Sequence, residues 1–240
     1  MKLSVLIPSY NEEKTIEKII DKILEQKVNG INGLEIIVVD DGSQDRTREI
    51  INSLDKKIGT RLRPIFHEKN SGKGAAIRTA VDNMTGDVCI IQDADLEYDP
   101  IDYPLILEPI ISGRADCVYG SRFTGSQPKR VLFFWHYLAN RFLTMLSNMV
   151  TNFNLTDMET CYKAFKCEIL KTIPIRCNRF GFEPEITAKI ARRGLRLYEV
   201  GISYSGRTYD EGKKITWVDG LKAIFVILKY AIIDDSRKSK

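Results

Sequence analysis

Four carboxylates crowd the end of an apolar run in "CIIQDADLEYDP": Asp93, Asp95, Glu97 and Asp99. Carboxylates this close repel one another, and each is costly to take out of water. Two of them flanking one small residue can share a hard divalent cation, whose charge removes the repulsion. Mg2+ keeps part of its water shell and takes one or two protein carboxylates together with phosphate oxygens. Asp93 and Asp95 are therefore expected to hold a metal, with Glu97 as a further ligand. The competing reading is a solvated helix entrance, where acidic side chains suit the helix dipole. Asp99, directly before Pro100, reads as a helix cap. An isolated D-x-D is a weak motif; the apolar strand ahead of it favours a site.

Other segments carry related chemistry. "VVDDGSQDRT" ends a second apolar run with Asp40 and Asp41. A carboxylate there can accept from a nucleobase N–H or from ribose hydroxyls. It can also cap a helix over residues 43–51, a task that Ser43 or Asp41 could perform alone. "HEKNSGKGAAI" looks like a phosphate loop but fails its pattern: His67 stands where a glycine is needed, and Gly74 follows Lys73. It reads as a tight helix start packed close to the sheet, with Lys73 either facing a diphosphate or solvated. "GTRLRP" is like the signature loop of sugar nucleotidyltransferases, but it precedes the third strand instead of following the first. The two histidines, His67 and His136, are expected outside every candidate site.

The elements that must position these groups alternate regularly in the first half. "LSVLIPSY", "LEIIVVDD", "RPIFHEKN", "GDVCIIQD" and "ADCVYGSRF" read as strands, with helical segments such as "EEKTIEKIIDKILEQ" between them. Continuous apolar strands alternating with helices predict an α/β fold with a mostly parallel sheet covered on both faces. Ligands bind beyond the carboxyl ends of such strands. Asn11-Glu12, Asp40-Asp41 and Asp93-Asp95 all fall there. The second half reads as a very apolar helix "FFWHYLANRFLTMLSNMV", a short strand "CYKAFK", a helix "EPEITAKIARRG" closed by Gly194, a strand "LRLYEVGISY" and a last amphipathic helix. No linker divides the 240 residues, which read as one domain.

Composition limits the partners. A net charge of +4 fits an anionic ligand or a membrane surface and is too mild to argue for nucleic acid. Five cysteines without metal-type spacing or a signal peptide suggest reduced thiols in a cytoplasmic setting. The longest uncharged runs, 131–140 and 142–156, are too short to span a bilayer.

Taken in order, "IPSYNEE", "VVDDGSQDRT", "NSGKGAAI", "QDADLEYDP" and "YGSRF" resemble glycosyltransferase family 2 over roughly the first 125 residues. "DMETCYKAFK" and "YSGRTYDEGKKI" look like the polyprenyl-phosphate (dolichol-phosphate mannosyltransferase-like) branch. The resemblance implies a GT-A fold, a nucleotide-sugar-binding half over 1–125, and an acceptor- and membrane-facing half over 126–240. It implies that Pro8, Tyr10, Asn11, Glu12 and Asp41 line the nucleoside pocket with Asp40 close by. Asp93, Ala94 and Asp95 would hold donor and Mg2+ or Mn2+. Glu97 stands where the mannosyltransferase branch usually has Gln. Arg122 would approach the diphosphate or acceptor phosphate, Asp157 and Lys163 would shape the acceptor side, and Arg207 would meet anionic phosphate.

The residues themselves agree with a metal-dependent, inverting transfer of a hexose to a polyprenyl phosphate. Arg and Lys can stabilise the charge on a departing diphosphate, and an ionised acceptor needs no strong base. Arg122, Lys129, Arg130, Lys163, Arg207, Lys213 and Lys214 lie in or beside loops of the second half. Aromatics flanked by basics at Phe133, Phe134, Trp135 and Phe142, and at Trp217 and Phe225, suit interfacial helices at the cytoplasmic face of a membrane, or burial against a partner subunit or a second copy. Three rivals stand beside it: a glycan or protein hydroxyl acceptor with Glu183 or Glu185 as base, a sugar nucleotidyltransferase, and a non-catalytic binding subunit, against which the full acidic set argues.

Overall fold

The computed structural model describes residues 1–131, 133–208 and 217–233, without the side chains of 217–219. Its strands are β1 (Lys2–Ser9), β2 (Gly33–Asp40), β3 (Leu62–Phe66), β4 (Val88–Ile91), β5 (Cys117–Ser121), β6 (Lys163–Lys166) and β7 (Leu197–Gly201). They form one sheet in the order β3-β2-β1-β4-β6-β5-β7. Pairings β1–β2, β1–β4, β2–β3 and β5–β7 are parallel. The inner strands are apolar without alternation because helices cover both faces; in β4 all four residues are buried.

The helices are α1 (Ile16–Glu25), α2 (Thr47–Ile58), α3 (Lys73–Asn83), α4 (Tyr103–Ile111), α5 (Phe134–Thr151), α6 (Cys167–Thr172), α7 (Phe182–Arg192) and α8 (Trp217–Ile232). α1 shows the packing rule plainly. Ile16, Ile19, Ile20 and Ile23 recur at three- and four-residue spacing and are all buried.

One local expectation gains a direction and two are corrected. "CYKAFK" does form a strand, but β6 runs antiparallel to both neighbours, with Ile90 opposite Ala164 and Val118 opposite Ala164. This reversal places its first residue, Lys163, at the edge where β1, β2, β4 and β5 end. Second, α2 begins at Thr47 and has no side-chain cap. Asp45 holds the Thr47 amide instead (3.0 Å), and Ser43 Oγ accepts from the Asn11 amide (2.9 Å). The short-range turn competes with the helix and delays its start. Third, the tight approach at the start of α3 is to the segment before α7. A Cβ on Gly74 would lie 2.0 Å from the Cys177 carbonyl oxygen, and Gly72, at φ 100°, would put one 2.4 Å from that of Asn178.

Candidate active site

Asp93 and Asp95 leave β4 in a short irregular turn. Asp95 Oδ1 accepts from the Glu97 amide (3.1 Å), and Leu96 between them takes a left-handed φ of 65°. The turn keeps the carboxylates together, and two cations from distant segments answer them. Lys73 Nζ, at the start of α3, lies 3.0 Å from Asp93 Oδ1 and 3.2 Å from Glu183 Oε1. Arg207 Nη2 donates to Asp95 Oδ2 (2.7 Å), and its Nε and backbone amide donate to Glu97 Oε1 (3.2 and 3.0 Å). Glu12 is 3.8 Å from the same guanidinium. Burial, then repulsion by Asp93 and Glu97, still pushes the Asp95 carboxyl up to about 7 against the pull of Arg207. Burial alone would lower Lys73; the negative neighbours, Asp93 first, outweigh it and hold the ammonium well above its usual range. The cluster therefore carries more negative charge than its own cations settle.

That charge excess suits a divalent cation at Asp93 and Asp95. Glu97 has partners on both oxygens: Tyr204 donates its hydroxyl to Oε2 (2.7 Å), and Arg207, which also holds Asp95, donates to Oε1. Among the described residues, no three Asp, Glu, His or Cys side chains converge as a metal-holding group. Mg2+ takes one or two protein carboxylates when phosphate oxygens complete its shell, a number that Asp93 and Asp95 could supply.

Beside this cluster, the ends of β1 and β2 are laced together. Asn11, at φ 53°, accepts on Oδ1 from the Gln44 amide (2.9 Å). Glu12 accepts on Oε2 from Thr15 Oγ1 (2.8 Å). Asp41 accepts from the Ser71 and Gly72 amides (3.0 and 2.7 Å) and pairs with His67 Nδ1 (2.7 Å). Asp41 thus shapes the 67–72 loop, and His67 belongs to this site, contrary to the sequence expectation. Asp40, fully buried, is bonded to Arg48 Nε (3.1 Å) and the Ser43 amide (3.3 Å), so its oxygens serve the loop. Pro8 and Tyr10 are half-buried, and Ala94 is buried.

On the other side, Arg122 leaves β5 and forms a bidentate pair with buried Asp157, Nε to Oδ2 at 2.6 Å and Nη2 to Oδ1 at 2.7 Å. Its guanidinium lies over the Tyr204 ring (5.3 Å), so Tyr204 joins the Arg122 and Glu97 regions. Nothing in the spacing of "GISYSGR" announces that role. Lys163 does not face outward to shape an acceptor surface. It is fully buried, its ammonium donates to the Met158 (2.9 Å) and Thr160 carbonyls, and it sits 4.2 Å over the Tyr119 ring. Burial lowers its pKa to about 8.

Of the two candidate bases, both in the first turn of α7, only Glu183 reaches the cluster. Glu185 accepts from Lys189 (2.5 Å), Tyr230 (2.9 Å) and the Arg176 and Cys177 amides (2.7 and 2.6 Å). The backbone of Lys129 pairs with that of Tyr204 as in a parallel strand, and the Arg130 side chain donates to the Gly206 carbonyl (3.0 Å). Lys213, Lys214 and the Trp217 side chain lie outside the described residues. α5 and α8 pack against each other, yet Trp135 (73%), Met149 (75%) and Phe225 (68%) remain largely exposed. Among the described residues, no helix is long and apolar enough to cross a membrane.

The profile of Glycosyl transferase family 2 matches residues 4–173, well over half of the chain. The chain belongs to glycosyl transferase family 2. Among similar curated proteins, a dolichol-phosphate mannosyltransferase of Pyrococcus furiosus is 28% identical over 96% of this chain and 64% of its own length. An undecaprenyl-phosphate 4-deoxy-4-formamido-L-arabinose transferase of Edwardsiella ictaluri is 27% identical over 88% of this chain and 62% of its own. The chain thus spans under two thirds of the length of these two relatives. A UDP-N-acetylglucosamine–dolichyl-phosphate N-acetylglucosaminyltransferase of Methanococcus voltae is 25% identical over 93% of this chain and 94% of its own. Glucosyl-3-phosphoglycerate synthase of Mycobacterium tuberculosis, solved with Mn2+, UDP and phosphoglyceric acid, superposes with a TM-score of 0.73 at 22% identity, covering 98% of this chain and 80% of that one. The fold of this glycosyltransferase is accordingly GT-A-like, as the strand pattern and the resemblance led one to expect.

Proposed function

We propose that this glycosyltransferase moves a hexose from a nucleotide-sugar to a polyprenyl phosphate, at a membrane surface that its apolar helices touch. The observation that carries the reading is the ring of Lys73 and Arg207 around the Asp93–Asp95 pair, with Arg122 joined to it through Tyr204. Carboxylates for a metal and cations for phosphates, all at one edge of the sheet, suit an anionic donor meeting an anionic acceptor. The relatives named for polyprenyl-phosphate transfer support the acceptor.

In this reading, Asp93 and Asp95 would hold Mg2+ or Mn2+, a group that would supply positive charge beside the leaving diphosphate. Lys73 and Arg207 hold phosphate oxygens of the donor. Arg122, fixed by Asp157, orients the acceptor phosphate as a planar bidentate partner. An acceptor oxygen bonds to the anomeric carbon as the bond to the nucleoside diphosphate breaks. The electron pair leaves with the diphosphate, and configuration inverts. The attacking phosphate is already ionised, so the chain's residues need remove no proton.

Two measurements test this. Asp95→Asn should abolish transfer while leaving the circular dichroism spectrum and unfolding transition near wild type; full activity would refute the metal assignment. Labelled donor offered with Mg2+ to polyprenyl phosphate and, separately, to oligosaccharides should label only the lipid. Labelling of the oligosaccharide alone would overturn the acceptor.

A further inference from the structure

Among the described residues, four buried side-chain oxygens have no hydrogen-bond partner, and three of them belong to the second half of the chain. They are Glu159 Oε1, Thr160 Oγ1 and Glu183 Oε2. Thr160 is fully buried and Glu183 is 4% exposed. Orphaned buried polar atoms are rare in folded proteins and each is costly. Here they come from two separate segments, the loop before β6 and the first turn of α7.

Their neighbours say what could satisfy them. The charges acting on Glu159 are those of Glu183, Lys163, Arg122 and Asp157. Glu183 in turn is joined through Lys73 to Asp93. Glu159 and Glu183 thus act on each other's charge, and Glu183 ties the set through Lys73 to the metal-side carboxylates. The negative charge of Glu183 beside these atoms repels a phosphate group, so the ligand they fit is not the diphosphate. A sugar presents hydroxyls, each able to donate to one group and accept from another. Burial, with the charge of Glu183 adding to it, drives the Glu159 carboxyl up to about 8. Near neutral pH it keeps its proton and can donate, while Glu183 Oε2 accepts and Thr160 Oγ1 does either.

We propose that Glu159, Thr160 and Glu183 form the subsite that takes the hydroxyls of the transferred sugar and so selects which sugar is used. This rests on the reading above that the donor is a nucleotide-sugar. Glu183 agrees with it, since its ion pair with Lys73 sets it beside Asp93, where the transferred group would sit next to the leaving diphosphate.

The test separates sugar contacts from nucleotide contacts. Dissociation constants are measured by calorimetry with Mn2+ for UDP, GDP, UDP-glucose, UDP-N-acetylglucosamine and GDP-mannose, on wild type, Glu159→Ala, Glu159→Gln and Thr160→Val. For whichever nucleotide-sugar binds wild type, Glu159→Ala and Thr160→Val should each weaken binding roughly tenfold, the size of one lost hydrogen bond. Binding of the matching nucleoside diphosphate should not change. Glu159→Gln, which keeps a neutral donor and an acceptor, should retain most of the affinity. Equal weakening for the sugar and the bare diphosphate would overturn the subsite, as would no weakening of either. A purely structural role would lower the unfolding temperature of Glu159→Ala without that selectivity. If wild type binds none of the three nucleotide-sugars, the donor reading falls and takes this inference with it. If it binds one and the variants do not discriminate, only the subsite falls.

Discussion

Replacing Asp157 by alanine should destabilise the protein far more than its place in a loop suggests. Asp157 is fully buried and receives three hydrogen bonds from Arg122: the backbone amide at 3.0 Å, Nε at 2.6 Å and Nη2 at 2.7 Å. Without it, the guanidinium stays pinned against the Phe123 and Tyr204 rings with no counter-ion. Removing one partner of a buried pair costs about 3–5 kcal/mol. For a chain of this size each kcal/mol lowers the midpoint by roughly 2–4 °C, so a fall of about 6–20 °C is expected in thermal unfolding followed by circular dichroism. The double variant Arg122→Met with Asp157→Ala should recover more than half of the loss, because it removes the stranded charge as well. A single variant within about 1 kcal/mol of wild type, the level of an exposed pair, would refute the reasoning. So would a double variant less stable than the single one.

Glu185→Ala removes the carboxylate to which the buried Lys189 ammonium and two backbone amides donate, and should cost about 3–5 kcal/mol in urea unfolding. Gly74→Ala drives a methyl into the Cys177 carbonyl and should cost about 1–3 kcal/mol by the same assay. Glu35 gives a pH signature. Burial would raise its carboxyl, but Lys2, Ser4 and Thr85 outweigh it and bring it down to about 2. A carboxyl more acidic when folded contributes stability above its unfolded pKa of about 4.3, and that contribution is lost as pH falls toward 2. Unfolding midpoints should drop across that window in wild type, and Glu35→Gln should flatten the drop.

Strong local patterns carried most of the fold. The apolar runs that became β1, β2 and β4 are buried on both faces and can only be inner strands. The direction of β6 was not readable. Lys163–Lys166 carries no mark of polarity, and its reversal is decided by where the chain returns after α5. In the site, the Asp93–Asp95 adjacency is local and legible. The pairing of Arg207 with Asp95 and Glu97 joins residues 112 and 110 apart, and no spacing rule reaches that far. Residue type alone misleads at Lys163, where charge suggests a ligand but the strand's central position buries it. His67 misled in the opposite way, since it lies one residue beyond β3 and only the sheet brings it to Asp41.

The Arg122–Asp157 pair has a further consequence when taken with its neighbours. Ser121 and Thr156 hydroxyls meet at 2.6 Å directly beside it. Together these contacts pinch the chain at residues 35 apart in sequence, before and after the excursion that carries α5. The excursion is thus a cassette with a closed neck. The cost of closing a loop rises only slowly with its length, so material could be added to the outer turns of this cassette while Arg122 stays seated at the sheet edge.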